Sequence, residues 1–366
     1  MRIALVHDWC TGMRGGEKCL EVLCEIFPEA PIYTLLHNPG SMSPLIESKT
    51  FVTSFIDHLP AKTKQYRKYL PLFPLAAELF DLSDFDLVVS TSHAVAKNVR
   101  VRKGALHICY CHTPMRYVWE MYDEYFGKGK AGLATRWAMK VLRPALQWWD
   151  VRTADRVHYY IANSENVRQR ILRYYRRDAE VIFPPVDTER FQLSQQNEGF
   201  HLIVSALVPY KRVDLAVEVF NRTGQPLVIA GTGPESDRLK GMAKRNITFL
   251  GWQSDDQLAA LYSRCSALLF PGVEDFGIVP LEAQASGKPV IAFGKGGALE
   301  TVVDGVTGVF FSRQDAESLE EAIRTASGIA FDPTRIREHA LRFSRSNYRK
   351  NMEDSIAGKV RQHLQR

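Results

Sequence analysis

Two glutamates eight positions apart, Glu274 and Glu282, stand in the stretch FPGVEDFGIVPLEAQASGKPVIAFGKGG. Glu274 follows the apolar run ALLFPG, which reads as a buried strand, and Glu282 falls about one turn inside a helix expected to begin near Ile278. Both carboxylates can then face a ligand at the helix tip. There the backbone N–H groups of Phe276, Gly277, Ile278 and Val279 lack intrahelical partners, and the helix dipole favours an anion. Two acceptors beside an anion-binding nest suit a nucleotide sugar, with the diphosphate on the N–H groups and hydroxyl-bearing rings on the carboxylates.

Other chemistry-bearing residues also follow apolar runs. Lys211 and Arg212 come after LIVSAL, where a cation can offset the charge that develops on a departing diphosphate. Gly15 and Gly16 open the helix GGEKCLEVLCEIF after RIALVHD, so that backbone can approach a phosphate closely; neither GxGxxG nor GxxxxGK[ST] is present. His112 ends ALHICYCH as a hydrogen-bonding or proton-transferring group. Backbone around Gly251 and Trp252 is placed to read a base, purine or pyrimidine. His107, Cys109 and Cys111 share one face of a strand but read as buried packing, and Asp84-Phe85-Asp86 precedes its strand LVVSTS and reads as a turn. No metal is expected.

The elements that position these residues alternate short apolar runs with amphipathic segments, the pattern of parallel sheets built from crossover units. A chain of 366 residues exceeds one economical core, which implies two domains. RIALVHD, PIYTLL, DLVVSTS, ALHICYC, VHYYIANS and EVIFP supply the first sheet, and FHLIVSAL, PLVIAGTG, ITFLGW, ALLFPG, PVIAFG and TGVFF the second. The polar stretch 192–199 is the expected joint. The expected domains are thus 1–191 and 192–345, with a terminal helix 346–366 packing back on the first. Ligands of such sheets lie outside the strands' carboxyl ends.

Composition excludes disordered, collagenous and disulfide-scaffold classes: 45% hydrophobic, 24% charged, six cysteines without a paired CxxC. A reducing, cytoplasmic setting is expected, and no run approaches the ~20 apolar residues of a membrane span. The net charge is +6, and residues 97–177 alone carry 17 Lys and Arg against 6 Asp and Glu. No nucleic-acid-reading module accompanies them, so no nucleic-acid partner is expected. Lys62, Lys64, Arg67 and Lys68 stand among Tyr66, Tyr69, Leu70, Leu72 and Phe73, a composition suited to an interfacial helix on an anionic membrane. TRWAMKVLRPALQWWDVR is a second such segment, read instead as a helix packing on the first domain with a charged rim.

EDFGIVPLE matches the E-x7-E motif of glycosyltransferase family 4, the retaining, nucleotide-sugar-dependent enzymes of GT-B fold, which the chain resembles over nearly its whole length. ASGKPVIAFGKGGALETVVDGVTGVFF, IAGTGPE, FLGW and IANSENVRQRI with IFPPVDTERF carry the same likeness. SALVPYKRVDLAVEVFN, YCHTPMRYVW and PLAAELFDLSDFDLVVSTSHAVAKNV further resemble the bacterial mannosyltransferase-like branch that builds O-antigen and exopolysaccharide repeat units.

The resemblance implies two Rossmann-like, doubly wound parallel-sheet domains facing a central cleft. It assigns Glu274 to the donor sugar hydroxyls, Glu282 to the ribose, residues 276–279 to sugar and diphosphate, and Gly15 and Gly16 to the phosphates. His112 is assigned to the reacting carbon and acceptor, and Lys211 to the diphosphate. Ala206 stands where the family usually has an arginine, leaving Arg212 as the neighbouring cation. The implied reaction is metal-independent transfer of a hexose, mannose from GDP-mannose, onto a lipid-linked saccharide with retention, by a cytoplasmic protein held peripherally at the inner membrane. A GT-B-fold epimerase or phosphorylase would share the cleft but not this E-x7-E context.

Overall fold

The structure, a computed structural model, describes residues 1–62, 66–127 and 132–365. The chain forms two compact units, Met1–Pro184 with Tyr348–Arg366, and Pro185–Asn347. The first crossing comes ahead of the expected stretch 192–199 because the intervening residues already belong to the second unit. Val186 bridges Ser344 in parallel and donates its N–H to Phe343, and Phe191 is buried edge-on against Tyr262.

The first unit holds β1 (Ile3–His7), β2 (Ile32–Thr34), β3 (Phe51–Thr53), β4 (Leu87–Ser92), β5 (Leu106–Cys111), β6 (Tyr159–Ala162) and β7 (Ala179–Val181). They form one parallel sheet in the order β3-β2-β1-β4-β5-β6-β7. Every residue of β4 and β5 is buried, as in a sheet covered on both faces. Alternation sends Ala4, Val6 and Val88 into one layer with Trp9 and Met139, and Leu5, Leu87 and Val89 into the other with Leu20 and Leu23. The helix Arg345–Leu364 adds Tyr348, Met352 and Ile356 to that second layer.

The second unit holds β8 (His201–Val204), β9 (Leu227–Ala230), β10 (Ile247–Gly251), β11 (Ala267–Phe270), β12 (Val290–Phe293) and β13 (Gly308–Phe311). Their order is β10-β9-β8-β11-β12-β13, again parallel. Ile203, Leu269, Ile291 and Val309 face one core layer, and Leu202, Leu268, Val290 and Ala292 the other. In each sheet the strand order reverses once, between β1 and β4 and between β8 and β11. Residues leaving those strands at their carboxyl ends splay apart and leave room for a ligand.

Candidate functional site

The switch point of the second sheet brings two sequence-predicted residues into contact. Lys211 leaves β8 through the short turn Pro209–Lys211, and Glu274 lies in the loop after β11. The Lys211 ammonium is ion-paired with the Glu274 carboxylate, and it also lies 5.5 Å from the centre of the Tyr210 ring. Gly272 makes the approach possible: a Cβ there would stand 2.8 Å from the Lys211 Cα. Neither side chain is sealed, with 13% of Lys211 and 29% of Glu274 accessible, so a ligand can reach both charges.

Beyond Glu274 the chain turns at Gly277, whose φ of +96° lies in the left-handed region, and enters the helix Ile278–Ala285. Gly277 precedes the helix, so the N–H groups of its first turn emerge beside the Glu274 loop. That loop is pressed against 294–297. Gly297 donates its N–H to the Glu274 carbonyl at 2.9 Å, and a Cβ on Gly297 would fall 2.1 Å from the Phe276 carbonyl oxygen. Gly296 and Gly297 are therefore a packing requirement of this loop, a Cβ on Gly296 falling 2.6 Å from the Glu274 carbonyl oxygen.

Glu282 is 7% exposed and accepts a hydrogen bond from the Tyr262 hydroxyl at 3.0 Å. Burial first, and the neighbouring Glu282 next, push the Tyr262 phenol well above its ordinary range, so it stays a donor. The far end of the helix is fixed as well. Arg337 donates to the carbonyls of Ala285, Phe191 and Thr188, and Gln284 donates to Thr301 at 2.6 Å while pairing with His339 Nδ1 at 2.8 Å. Glu282 thus projects from a helix clamped at its C-terminal end.

Arg212 stands at the end of the same short turn as Lys211. It adopts φ +52°, and its guanidinium closes on Asp214 at 3.2 Å and on the Gln314 carbonyl at 3.3 Å. The guanidinium braces a strained turn and stays one-third exposed. Gly251 also has a committed backbone, with φ +71° and its carbonyl accepting from Gly231 N–H at 2.7 Å. Trp252 is 74% exposed beyond the edge strand β10, apart from the β8–β11 switch point.

In the first unit three histidines gather at the carboxyl ends of the adjacent strands β1, β4 and β5. His7 ends β1, His93 follows β4 and His112 follows β5, with ring centres 6.0 Å apart for His7 and His93 and 6.2 Å for His93 and His112. Their supports are polar and buried. His7 Nδ1 pairs with Thr91 Oγ1 at 2.6 Å and His7 Nε2 lies 3.7 Å from Glu17, while His93 Nδ1 lies 3.2 Å from Asp8. Asp8 accepts the N–H groups of His93, Ala94, Val95 and Ala96 and so fixes the turn after β4.

Gly16, one residue into the helix Gly15–Ile26, brings this group against the helix start. A Cβ on it would meet His112 Nε2 at 3.5 Å and His7 Cε1 at 3.7 Å. His7 Nε2 and His112 Nε2 are closed off from solvent without a hydrogen-bond partner among the described residues. Burial first, then the neighbouring imidazoles, lower His112 to about 3; His93 falls to about 3 for the same reasons. Both rings are neutral near pH 7 and suited to a hydroxyl group, as hydrogen-bond donor or acceptor. Burial alone would raise the Glu17 carboxyl, but the His7 imidazole 3.7 Å away outweighs it and holds the group low. His93, Glu17 and Tyr262 were missed in the sequence. For His93 the signal was present, because it follows its strand just as His112 does.

The metal-like groups of the sequence resolve as packing. All six cysteines are free and buried, His107 pairs with Ser90 at 2.8 Å, and no metal-holding group of His, Cys, Asp or Glu occurs among the described residues. Asp86 stands ahead of β4, paired with Arg102.

The segment expected to lie on a membrane has a buried and an exposed side, with Leu72, Leu75 and Leu79 exposed together with Arg67 and Lys68. Pro71 and Pro74 limit it to a 3₁₀ run, Tyr66–Leu72, and the short helix Phe73–Glu78, and Tyr66, Leu70 and Phe73 are core residues. Lys62 pairs with Asp57 at 2.6 Å and Arg67 lies over the Tyr66 ring, while Lys68 is exposed and Lys64 falls outside the described residues. No described helix is long and apolar enough to cross a membrane.

Two family profiles match consecutive parts of the chain, Glycosyltransferase Family 4 over residues 14–190 and Glycosyl transferases group 1 over residues 186–340. Similar curated proteins include an uncharacterised glycosyltransferase of Methanocaldococcus jannaschii, 31% identical over 46% of this chain and 47% of its own length. The D-rhamnosyltransferase WbpZ of Pseudomonas aeruginosa is 26% identical over 69% of this chain and 74% of its own. The O-antigen chain mannosyltransferase RfbU of Salmonella typhimurium is 25% identical over 56% and 61%. The chain spans about half the length of the first curated relatives it matches. Among solved structures, the lipopolysaccharide outer core galactosyltransferase WaaB superposes with a TM-score of 0.69 at 17% identity, covering 98% of this chain and 100% of that one. Anabaena HepE in complex with UDP gives 0.71 at 18% identity, with the same coverage.

Proposed function

This chain is a family 4 glycosyltransferase of GT-B fold, and from that premise we propose that it moves a mannosyl unit from GDP-mannose onto a lipid-linked saccharide in bacterial surface polysaccharide synthesis. The observation that carries the reading is the convergence of Lys211, Glu274 and the start of the Ile278–Ala285 helix at the β8–β11 switch point. The likeness to the D-rhamnosyltransferase WbpZ and to the O-antigen chain mannosyltransferase RfbU favours a deoxyhexose or hexose donor.

In this reading the helix-start N–H groups and Lys211 hold the diphosphate, Glu274 takes sugar hydroxyls, and Glu282 takes the ribose. The acceptor oxygen attacks the anomeric carbon on the face that the diphosphate leaves. The bond from that carbon to the diphosphate breaks through an oxocarbenium-like state, and the departing phosphate oxygen takes the acceptor proton. Lys211 offsets the charge that appears on the leaving group. Within the first unit, neutral His112 orients a hydroxyl, and the Gly15 and Gly16 turn presents backbone suited to a phosphate. No metal is assigned a role. The protein works from the cytoplasmic side, held peripherally at the inner membrane where its acceptor resides.

Purified protein incubated with GDP-mannose, UDP-glucose and UDP-galactose and a lipid-linked acceptor should lengthen the acceptor with GDP-mannose, with retention seen by NMR and without added metal. Preference for a UDP-sugar would overturn the donor assignment alone. Isomerised sugar nucleotide, or product only with inorganic phosphate, would overturn transfer itself in favour of an epimerase or a phosphorylase.

A further inference from the structure

The helix Leu133–Thr153 is apolar on both sides, and only one side is covered. Met139 and Leu146 enter the core with the half-buried Leu142 and Trp149. On the opposite side Leu133, Trp137, Val141, Pro144, Trp148 and Val151 follow one another at spacings of three and four, a single helical face, and all are exposed. Leu133, Trp137 and Trp148 are 80%, 71% and 64% exposed, values at which large apolar side chains serve nothing inside the fold.

Cations border this stripe. Arg136 and Lys140 flank it on one edge and Arg152 on the other, with the Arg152 guanidinium 5.6 Å from the centre of the Trp148 ring. The helix contains one acid, Asp150, and that is buried on the inner side with Lys97, the Trp119 indole N–H at 2.9 Å and the Tyr175 hydroxyl at 2.8 Å. The outer face of the helix therefore combines apolar and cationic groups, and the exposed Asp155 just beyond its end is paired with Arg177 at 3.5 Å.

We propose that this face is the surface by which the protein docks on an anionic lipid bilayer, the helix lying in the interface plane. Trp137 and Trp148 seat at the boundary of headgroups and acyl chains, and Arg136, Lys140 and Arg152 meet lipid phosphates. The proposal rests on the reading of a lipid-linked acceptor and names an element, separate from the segment around Lys62, that takes the protein to it. Charge selects this occupant over a second copy of the chain, because two-fold pairing of the face would set its cations against their own counterparts.

The test uses the full chain and phosphatidylcholine vesicles with and without phosphatidylglycerol. Cosedimentation with the anionic vesicles is expected, weakening as salt rises. Trp137→Ser with Trp148→Ser, and separately Arg136→Glu with Lys140→Glu and Arg152→Glu, should each lower it at least about tenfold. Transfer to a detergent-dispersed acceptor and thermal stabilisation by sugar nucleotide should stay at parental levels. Parental vesicle binding by both variants, equal binding to vesicles lacking the anionic lipid, or a dimer in light scattering that the Trp variant dissolves would each overturn the proposal. If the parent binds anionic vesicles but transfers no sugar, the enzymatic reading fails and the docking surface stands.

Discussion

The Lys211 ammonium and the Glu274 carboxylate are joined across the carboxyl ends of the neighbouring strands β8 and β11. Each fixes the direction of the other, so the cation meant for a diphosphate and the carboxylate meant for a sugar are held as one unit. Lys211→Met and Glu274→Gln should each lower kcat by about a hundredfold or more while leaving the circular dichroism spectrum unchanged. Because both act through one contact, the double variant should be far less impaired than the product of the two losses. Full multiplicativity in steady-state kinetics would show that the pair has no joint role.

Glu282 depends on Tyr262 in a different way, since the phenol only orients a carboxylate that is already buried. Tyr262→Phe removes one hydrogen bond, which predicts a loss of about 0.5–1.5 kcal/mol in nucleotide affinity with kcat little changed. Glu282→Ala should weaken GDP binding more strongly, and Glu274→Ala should impair turnover more than GDP binding. Isothermal titration with GDP separates these cases, and equal small effects of Glu274→Ala and Glu282→Ala would contradict the division of roles.

Gly297 tests the loop packing. A methyl group there overlaps the Phe276 backbone, so Gly297→Ala must displace the residues that lead into the Ile278–Ala285 helix. A destabilisation of about 1–3 kcal/mol in urea unfolding, together with a loss of sugar-nucleotide binding, is expected. Gly358, with nothing near its Cβ position and a helical backbone, provides the control: Gly358→Ala should leave both measurements at parental values or raise stability.

Much of this arrangement was legible in the sequence because the relevant residues come directly after strands that are uninterrupted apolar runs. β3 was not, since FVT is three residues long at the sheet edge and has no fully buried member. Tyr262 reads as one more aromatic on an amphipathic helix until the fold brings it to Glu282, twenty positions away. The contact of Arg212 with Asp214 required the left-handed turn that brings the two together. Hydrophobic pattern likewise could not decide which face of Leu133–Thr153 is covered, because both faces carry Trp and aliphatic residues.

The buried imidazoles make stability fall in mild acid. His93, His107 and His112 are lowered from 6.5 to about 3, chiefly by burial, with neighbouring positive groups adding to it. The unfolded chain takes these protons near pH 6.5 and the folded chain only near pH 3. Stability from these groups is therefore complete above pH 6.5 and is lost progressively as pH falls toward 3. Urea midpoints measured between pH 7 and pH 5, above the ordinary carboxylate range, should decline steadily. NMR of the imidazole carbons should show no His112 titration near 6.5; an inflection there would remove its assignment as a neutral group.

The return of Arg345–Leu364 to the first unit sets an order on biosynthesis. Pro185–Asn347 is continuous and can complete its core as soon as it clears the ribosome. The amino-terminal sheet, although translated first, keeps one layer open beside Leu5 and Leu23 until Tyr348, Met352 and Ile356 arrive. A released chain truncated after Asn347 would keep every residue of the carboxyl-terminal unit and leave the amino-terminal sheet with that layer uncovered.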